Sequence, residues 1–454
     1  MKRIFFIIVF AVCCVCMHAQ FTIDECQEFA RENYPLIKQY GLIERSSEYS
    51  VSNAAKAYLP QLSFNAQATY QSDVASFPDE MLSAYKQMGV DMKGLNKDQY
   101  RVALEVNQTI WDGGLTQAQK NISSAEGRVS AQSVEAEMYA IRERVNQLYF
   151  GILILNEQLR QNQLLQDLLQ SNYNTVEAYF KNGVAMRSDL DAVKAEQLTV
   201  AQQRIQIESA VNAYCRVLSA MTGRSIDPSA TFNKPFAESD KQEGFSNSGA
   251  GSHSGAFAGS EVSAWSITNA LNYRPELLLF EAQSEQFEAQ KQAVKASTMP
   301  RFGVFAQGFY GNPGLNLFKD MTENKWTWNY IAGLRLQWNF GSFYTKKGSL
   351  KRLSIAQQQI DNRRETFLFN NSLQQMQQQE AINKMRRVMV DDGEIIDLRT
   401  SVRRSSEAKY ANGTITINDL LRDITTESQA QLSKSLHELE WLKNIYELKH
   451  TVNN

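Results

Sequence analysis

The chain has little of what interrupts a helix: 8 prolines and 23 glycines in 454 residues. That leaves room for long uninterrupted helices and little for a turn-rich fold. It has no charge excess either. A formal net charge of −2 argues against a nucleic-acid binder, which would carry a strong basic surplus. Four histidines, one of them at position 18, are little material for a metal site. G-x-S-x-G, H-E-x-x-H, a Walker-type glycine loop and clustered Cys/His ligands are all missing, so neither an enzyme nor a cofactor is expected. Beyond the first 17 residues no hydrophobic run reaches 18, and no transmembrane helix is expected there.

The N-terminus reads as a signal peptide over residues 1–19. Lys2 and Arg3 precede an apolar run from Ile4 to Met17, too short to span a bilayer comfortably, and Met17-His18-Ala19 offers a cleavage site before Gln20. Its removal takes away two of the 47 basic residues, leaving 45 against 49 acidic. It also removes Cys13, Cys14 and Cys16; Cys26 and Cys215 remain, both inside helical patterns, and are read as buried thiols.

What is present is a duplication. Asn33-Tyr34-Pro35 and Tyr58-Leu59-Pro60 in the first half return as Asn272-Tyr273-Arg274-Pro275 and Thr298-Met299-Pro300 in the second. Leu104 to Trp111 with Gly113 is echoed by Leu334 to Phe340 with Gly341. Tyr179-Phe180-Lys181-Asn182-Gly183, with Asp189-Leu190 beyond it, returns as Lys409-Tyr410-Ala411-Asn412-Gly413, with Asp419-Leu420 beyond it. The expected organisation is a first repeat over 20–232, a Gly/Ser-rich linker over 233–262, and a second repeat over 263–454.

Each repeat reads helix, strand, strand, very long helix, shorter helix. Period-two alternation predicts strands at about 61–71, 100–110, 301–310 and 326–340. Leu62, Phe64, Ala66, Ala68 and Tyr70 share one face of the first, and Gln61, Ser63, Asn65, Gln67 and Thr69 the other. The strand from Phe302 to Tyr310 alternates least well. Long helices are expected at about 115–180 and 346–410, and 66 residues without proline span ~100 Å. Tip hairpins at 181–189 and 411–419 lead to return helices at 190–221 and 420–449. The apolar seams are narrow; in the return helix they run Leu190, Val193, Val200, Ile207, Val211, Tyr214, Leu218 and Met221. A helix in the wall of a water-filled tube needs only such seams to its neighbours.

Four amphipathic strands cannot close a barrel, and an open sheet in lipid leaves backbone groups unpaired at several kcal/mol each. The chain is therefore expected to complete a membrane barrel with copies of itself.

In element order, duplication and the two hairpin motifs the mature chain resembles the TolC family of outer-membrane efflux ducts. The resemblance implies a mainly α fold with membrane β: a homotrimer with a 12-stranded β-barrel continuous with a periplasmic α-helical barrel, in the outer membrane of a Gram-negative bacterium. It implies the channel of a tripartite efflux pump or type I secretion system, partnered by a periplasmic adaptor and, through it, an inner-membrane pump. The hairpins would be the periplasmic entrance and adaptor-docking tips, here Asn182, Gly183, Asp189, Tyr410, Asn412, Gly413 and Asp419. Family members hold this entrance with polar links, and some carry acidic rings. The family's arginine falls here on Ile415, and a second acidic position falls on Arg422. The cargo stays open among drugs, metal ions and polypeptide. The rival reading is a periplasmic coiled-coil spacer, which explains the heptads but not the amphipathic strands.

Overall fold

A computed structural model describes residues 21–90, 92, 94–235 and 274–453. The expected signal peptide and almost all of the linker lie outside the described residues. In the first repeat α1 (Ile23–Asn33) and α2 (Lys38–Ala55) lead to β1 (Gln61–Tyr70), α3 (Asp79–Gln87) and β2 (Asp98–Trp111). Then come α4 (Leu115–Lys181) and α5 (Arg187–Thr222). The second repeat supplies α6 (Pro275–Ala296), β3 (Arg301–Asn312), α7 (Leu317–Glu323), β4 (Thr327–Gln337), α8 (Ser342–Ala411) and α9 (Ile417–Val452).

Compactness divides the chain along a different line from the repeat. One unit takes residues 1–40, 132–278 and 364–454; the other takes 41–131 and 279–363. Each draws on both repeats, because each repeat places its strands in one unit and its hairpin in the other.

In the unit that holds the hairpins, the seams are buried as the heptads require. Leu190, Val193, Val200, Val211, Leu218 and Met221 of α5 are buried, as are Val145, Ile152, Leu169 and Val176 of α4. Tyr214 departs from its expected seam burial at 39% exposed. Its ring lies against Gly151 of α4, where a Cβ would come within 2.4 Å of Tyr214 Cε1, so the glycine permits that close helix approach. Cys26 and Cys215 are free buried thiols, and burial pushes Cys26 up to about 12. The Tyr149 hydroxyl sits between the carbonyls of Phe21 (2.8 Å) and Asn233 (2.7 Å), beside a short parallel bridge from Phe21 to Phe232.

The other unit is built on one antiparallel sheet in the order β1-β2-β3-β4. Leu104 pairs with Phe64 on one side and Gly308 on the other; Val304 pairs with Leu334. These pairings put one apolar face together: Leu62, Phe64, Val102, Leu104, Trp328 and Leu334. None of the described residues covers that face, where Trp328 is 80% and Leu334 86% exposed. β1 and β4 are the free edges of the sheet.

One expectation needs correction here. β4 ends at Gln337, short of 340, because the chain turns out of the ladder: the Trp338 indole donates to Thr298 O at 3.1 Å, and Asn339 caps the turn into α8, which starts at Ser342 and not 346. The strand-to-strand connections, about 72–98 and 311–325, carry helices that the sequence reading did not include. They contain α3 and α7, and Phe77 stacks on Phe318 of α7 at 6.0 Å.

Candidate functional site: paired hairpins at the helix tips

The two hairpins repeat one backbone motif. α4 ends with Gly183 N–H donating to Phe180 O (3.0 Å) and Val184 N–H to Tyr179 O (2.8 Å). α8 ends with Gly413 N–H donating to Tyr410 O (2.9 Å) and Thr414 N–H to Lys409 O (3.0 Å). Both are Schellman closures, which need a left-handed residue just past the helix, and Gly183 and Gly413 supply it at φ 74° and 68°. Asn182 and Asn412 close the last α-type turns onto Ala178 O (3.1 Å) and Ala408 O (3.2 Å).

The return helices start with reciprocal caps. Thr416 is the N-cap of α9: its hydroxyl accepts the Asp419 N–H (3.3 Å), and Asp419 Oδ2 accepts the Thr416 N–H (3.2 Å). In the first hairpin the N-cap is Met186, whose thioether cannot repeat that role. There only the returning half survives, Met186 N–H to Asp189 Oδ2 at 2.9 Å. Hydrogen bonds from the Thr416 side chain and backbone hold the Asp419 carboxyl below its ordinary value. Its other oxygen lies 3.7 Å from Arg422, which also approaches Asp423.

The hairpins share a core. Leu169, Val176, Leu190, Val193 and Val200 from the first pack with Ile417, Leu420, Leu421 and Ile424 from the second. Ile415, at the position of the family's arginine, packs against this core and so makes no polar link. Tyr410 and Tyr179 meet at 6.2 Å between ring centroids, and burial, then the charge of Asp189, raises the Tyr410 phenol above its ordinary value. Farther along, Arg403 of α8 is paired with the buried Glu427 of α9, which also accepts from the Thr400 hydroxyl (2.7 Å).

Sequence reading did not single out Val184 and Met186, which are 75% and 73% exposed at the first tip. Apolar residues between a turn glycine and a helix start ordinarily read as core, so no sequence signal marked them as exposed. Nor did it find the Arg403–Glu427 pair, whose members are 24 residues apart across a hairpin.

Residues 28–224 match the family described as outer membrane efflux protein. No curated protein matches the chain. The fold is that of solved outer-membrane channels. VceC of Vibrio cholerae aligns over 95% of this chain and 96% of its own, with a TM-score of 0.64 and 13% identity. CmeC of Campylobacter jejuni aligns over 95% and 85%, with a TM-score of 0.61 and 12% identity. The open state of the MtrE channel of Neisseria gonorrhoeae aligns over 95% and 89%, with a TM-score of 0.59 and 16% identity.

Proposed function

We propose that this chain is a TolC-type outer membrane efflux protein, the passive exit duct of a tripartite efflux pump or type I secretion system; its family match over 28–224 and its fold support this reading. It works as a homotrimer that closes a 12-stranded barrel, and its hairpins receive a periplasmic adaptor that links it to an inner-membrane pump.

The observation that carries this reading is the sheet. Among the described residues it has one uncovered apolar face and two unpaired edges, which suits a membrane wall and leaves hydrogen-bonding groups that another chain would satisfy. A second observation supports the oligomer. Val388, Ile395 and Val402 on α8 are exposed at strict seven-residue spacing, with Leu398 between them, and Leu198 and Ile205 on α5 repeat the spacing. These are seams left exposed by the described residues of the single chain, as the wall of a multi-chain tube requires. A periplasmic coiled-coil spacer would use the seams and leave the sheet's apolar face in water.

At the tips, Val184 and Met186 offer exposed apolar contacts for an adaptor. Asn182, Gly183, Asn412 and Gly413 hold the hairpin shape, and Asp189 and Asp419 fix where the return helices begin. Tyr410 links the two hairpins through Tyr179. The acidic pair then acts on the entrance mainly by shaping it, since Arg422 offsets part of the Asp419 charge.

The test is export with assembly measured beside it. Val184→Asp with Met186→Asp disturbs no buried contact, so the protein should still insert and assemble while export and adaptor cross-linking are lost. Gly183→Val or Gly413→Val should act the same way. Space around both glycines is open, so the cost is backbone strain of about 1–2 kcal/mol confined to the turn. Normal export by the double Asp variant would remove the tips from the docking role.

A further inference from the structure

The sheet's polar face is not a neutral water-facing surface. By strand register, Arg101, Arg301 and Arg335 lie on it with Glu105 as the one ladder carboxylate of that face; Asp98, paired with Tyr70, falls on the opposite face. Three arginines against one glutamate leave two net positive charges per chain. Two of the arginines rest on phenylalanines of the same face. The Arg101 guanidinium lies 3.9 Å from the Phe309 ring centroid, and that of Arg335 lies 4.7 Å from Phe305. A guanidinium held flat on a ring is positioned while its N–H edge stays free to donate.

These donors are incompletely used. Arg101 Nη2 donates to Gln307 Oε1 at 3.0 Å, while its Nε is buried without a hydrogen-bond partner among the described residues. Arg335 reaches Asn107 Oδ1 at 3.4 Å and stands 4.0 Å from Glu105, too far for a firm ion pair, with its side chain 54% exposed. Two hollows on this face hold the charges. One of about 300 Å³ is lined by Arg301, Arg335, Asn107 and Gln337; one of about 350 Å³ is lined by Arg101, Phe309, Gln67 and Ile331. Asp112 also borders the first. Its oxygens are taken by the Tyr58 hydroxyl (2.7 Å), Gly114 N–H (2.9 Å) and Thr116 N–H (2.6 Å), so it does not compete for the arginines.

The geometry points to a lumen lining that selects anions and transiently binds organic anions with an apolar body. Fixed guanidinium forks match a carboxylate or sulfonate, and the exposed Ile331 with the half-buried Phe305 beside them takes the apolar part, while the buried Phe309 serves to seat Arg101. This rests on the duct reading, because the face becomes a lumen only in a closed barrel. Three chains would place nine arginines and three glutamates around one passage, enough to raise the local anion concentration.

The test uses the full-length mature protein in planar bilayers. Under a potassium chloride gradient the reversal potential should show chloride preference. Benzenesulfonate added on the barrel side should block the current, and phenyltrimethylammonium, its cationic counterpart, should block less. Replacing Arg101, Arg301 and Arg335 together by Gln should shift the reversal potential toward potassium and weaken benzenesulfonate block by about fivefold or more. Lysine at 301 and 335 should keep the selectivity. Channels that prefer potassium, or whose selectivity and block ignore the three Gln replacements, overturn the inference and leave the duct reading standing. No conductance from any assembled protein would overturn both.

Discussion

The Asp419 carboxylate accepts both the amide (3.2 Å) and the hydroxyl (2.7 Å) of Thr416, so the acid that opens the second return helix is a cap. Thr416→Ala should therefore fray the first turn of α9 at a cost of about 1 kcal/mol. Hydrogen exchange at residues 417–420 reads this directly. The cap is also acid-sensitive in a defined direction. The folded-state pKa of Asp419 lies below its ordinary 3.8, so its contribution is complete above 3.8 and lost as pH falls through the lower folded value. Asp419→Asn should remove that acid response. If Asp419→Ala leaves exchange at 417–420 unchanged, yet alters blockage by multivalent cations in single-channel recordings, the residue is a gate charge and not a cap.

The two faces of the sheet give a second prediction. Leu104→Arg or Leu336→Arg places a charge on the uncovered apolar face and should cost ~2–4 kcal/mol at mid-membrane, falling toward the interface. Asn107→Arg or Gln337→Arg, on the opposite face, should assemble normally. Heat-modifiable mobility of outer-membrane fractions reads the outcome, and equal defects at both kinds of site would reverse the assignment of faces.

Much of this architecture was legible because periodicity carries it. The apolar face of β1 and β2 and the seam of α5 are written at spacings of two and seven, and both emerge as expected except at Tyr214. The weak alternation of β3 has a specific cause. Phe305 and Phe309 sit on its polar face, where Arg335 of β4 and Arg101 of β2 cover their rings, so the apolar signal of one strand is masked by charges on its neighbours. No single-strand pattern contains that information. α7 was missed for a related reason. Its N-cap Asn316 and left-handed Asn324 are local signals, but the buried Asp320 that accepts the Gly314 N–H (2.6 Å) looks like surface charge in sequence. At the tips, the Asn-Gly turns were readable from residue type. The exposed Val184 and Met186 were not, since apolar residues beside a helix start ordinarily read as core.

A third prediction concerns acid stability in the unit that holds the hairpins. His450 is buried and stacks on Tyr139 at 4.5 Å between ring centroids. Burial, then the charges of Arg274 and Arg142, lowers its pKa from 6.5 to about 4. Glu143, 3.9 Å away, and Glu276, paired with Arg274, are the acidic groups nearby, and they do not reverse the shift. Because the folded state disfavours the proton, stability is complete above about 6.5 and falls as pH drops toward about 4, by roughly 3 kcal/mol across that window. His450→Phe keeps the stacked ring and removes the proton site. Its melting temperature should vary less between pH 7 and about 4.5 than that of the parent. Parallel acid profiles for the two proteins would place the sensitivity elsewhere.

The closed barrel is the claim on which the rest depends, and its most direct measurement is native mass spectrometry of the protein extracted from the outer membrane in detergent. Three copies per particle are predicted, with β1 of one chain closing on β4 of the next. A stable monomer in the membrane, with both sheet edges free, would contradict the account.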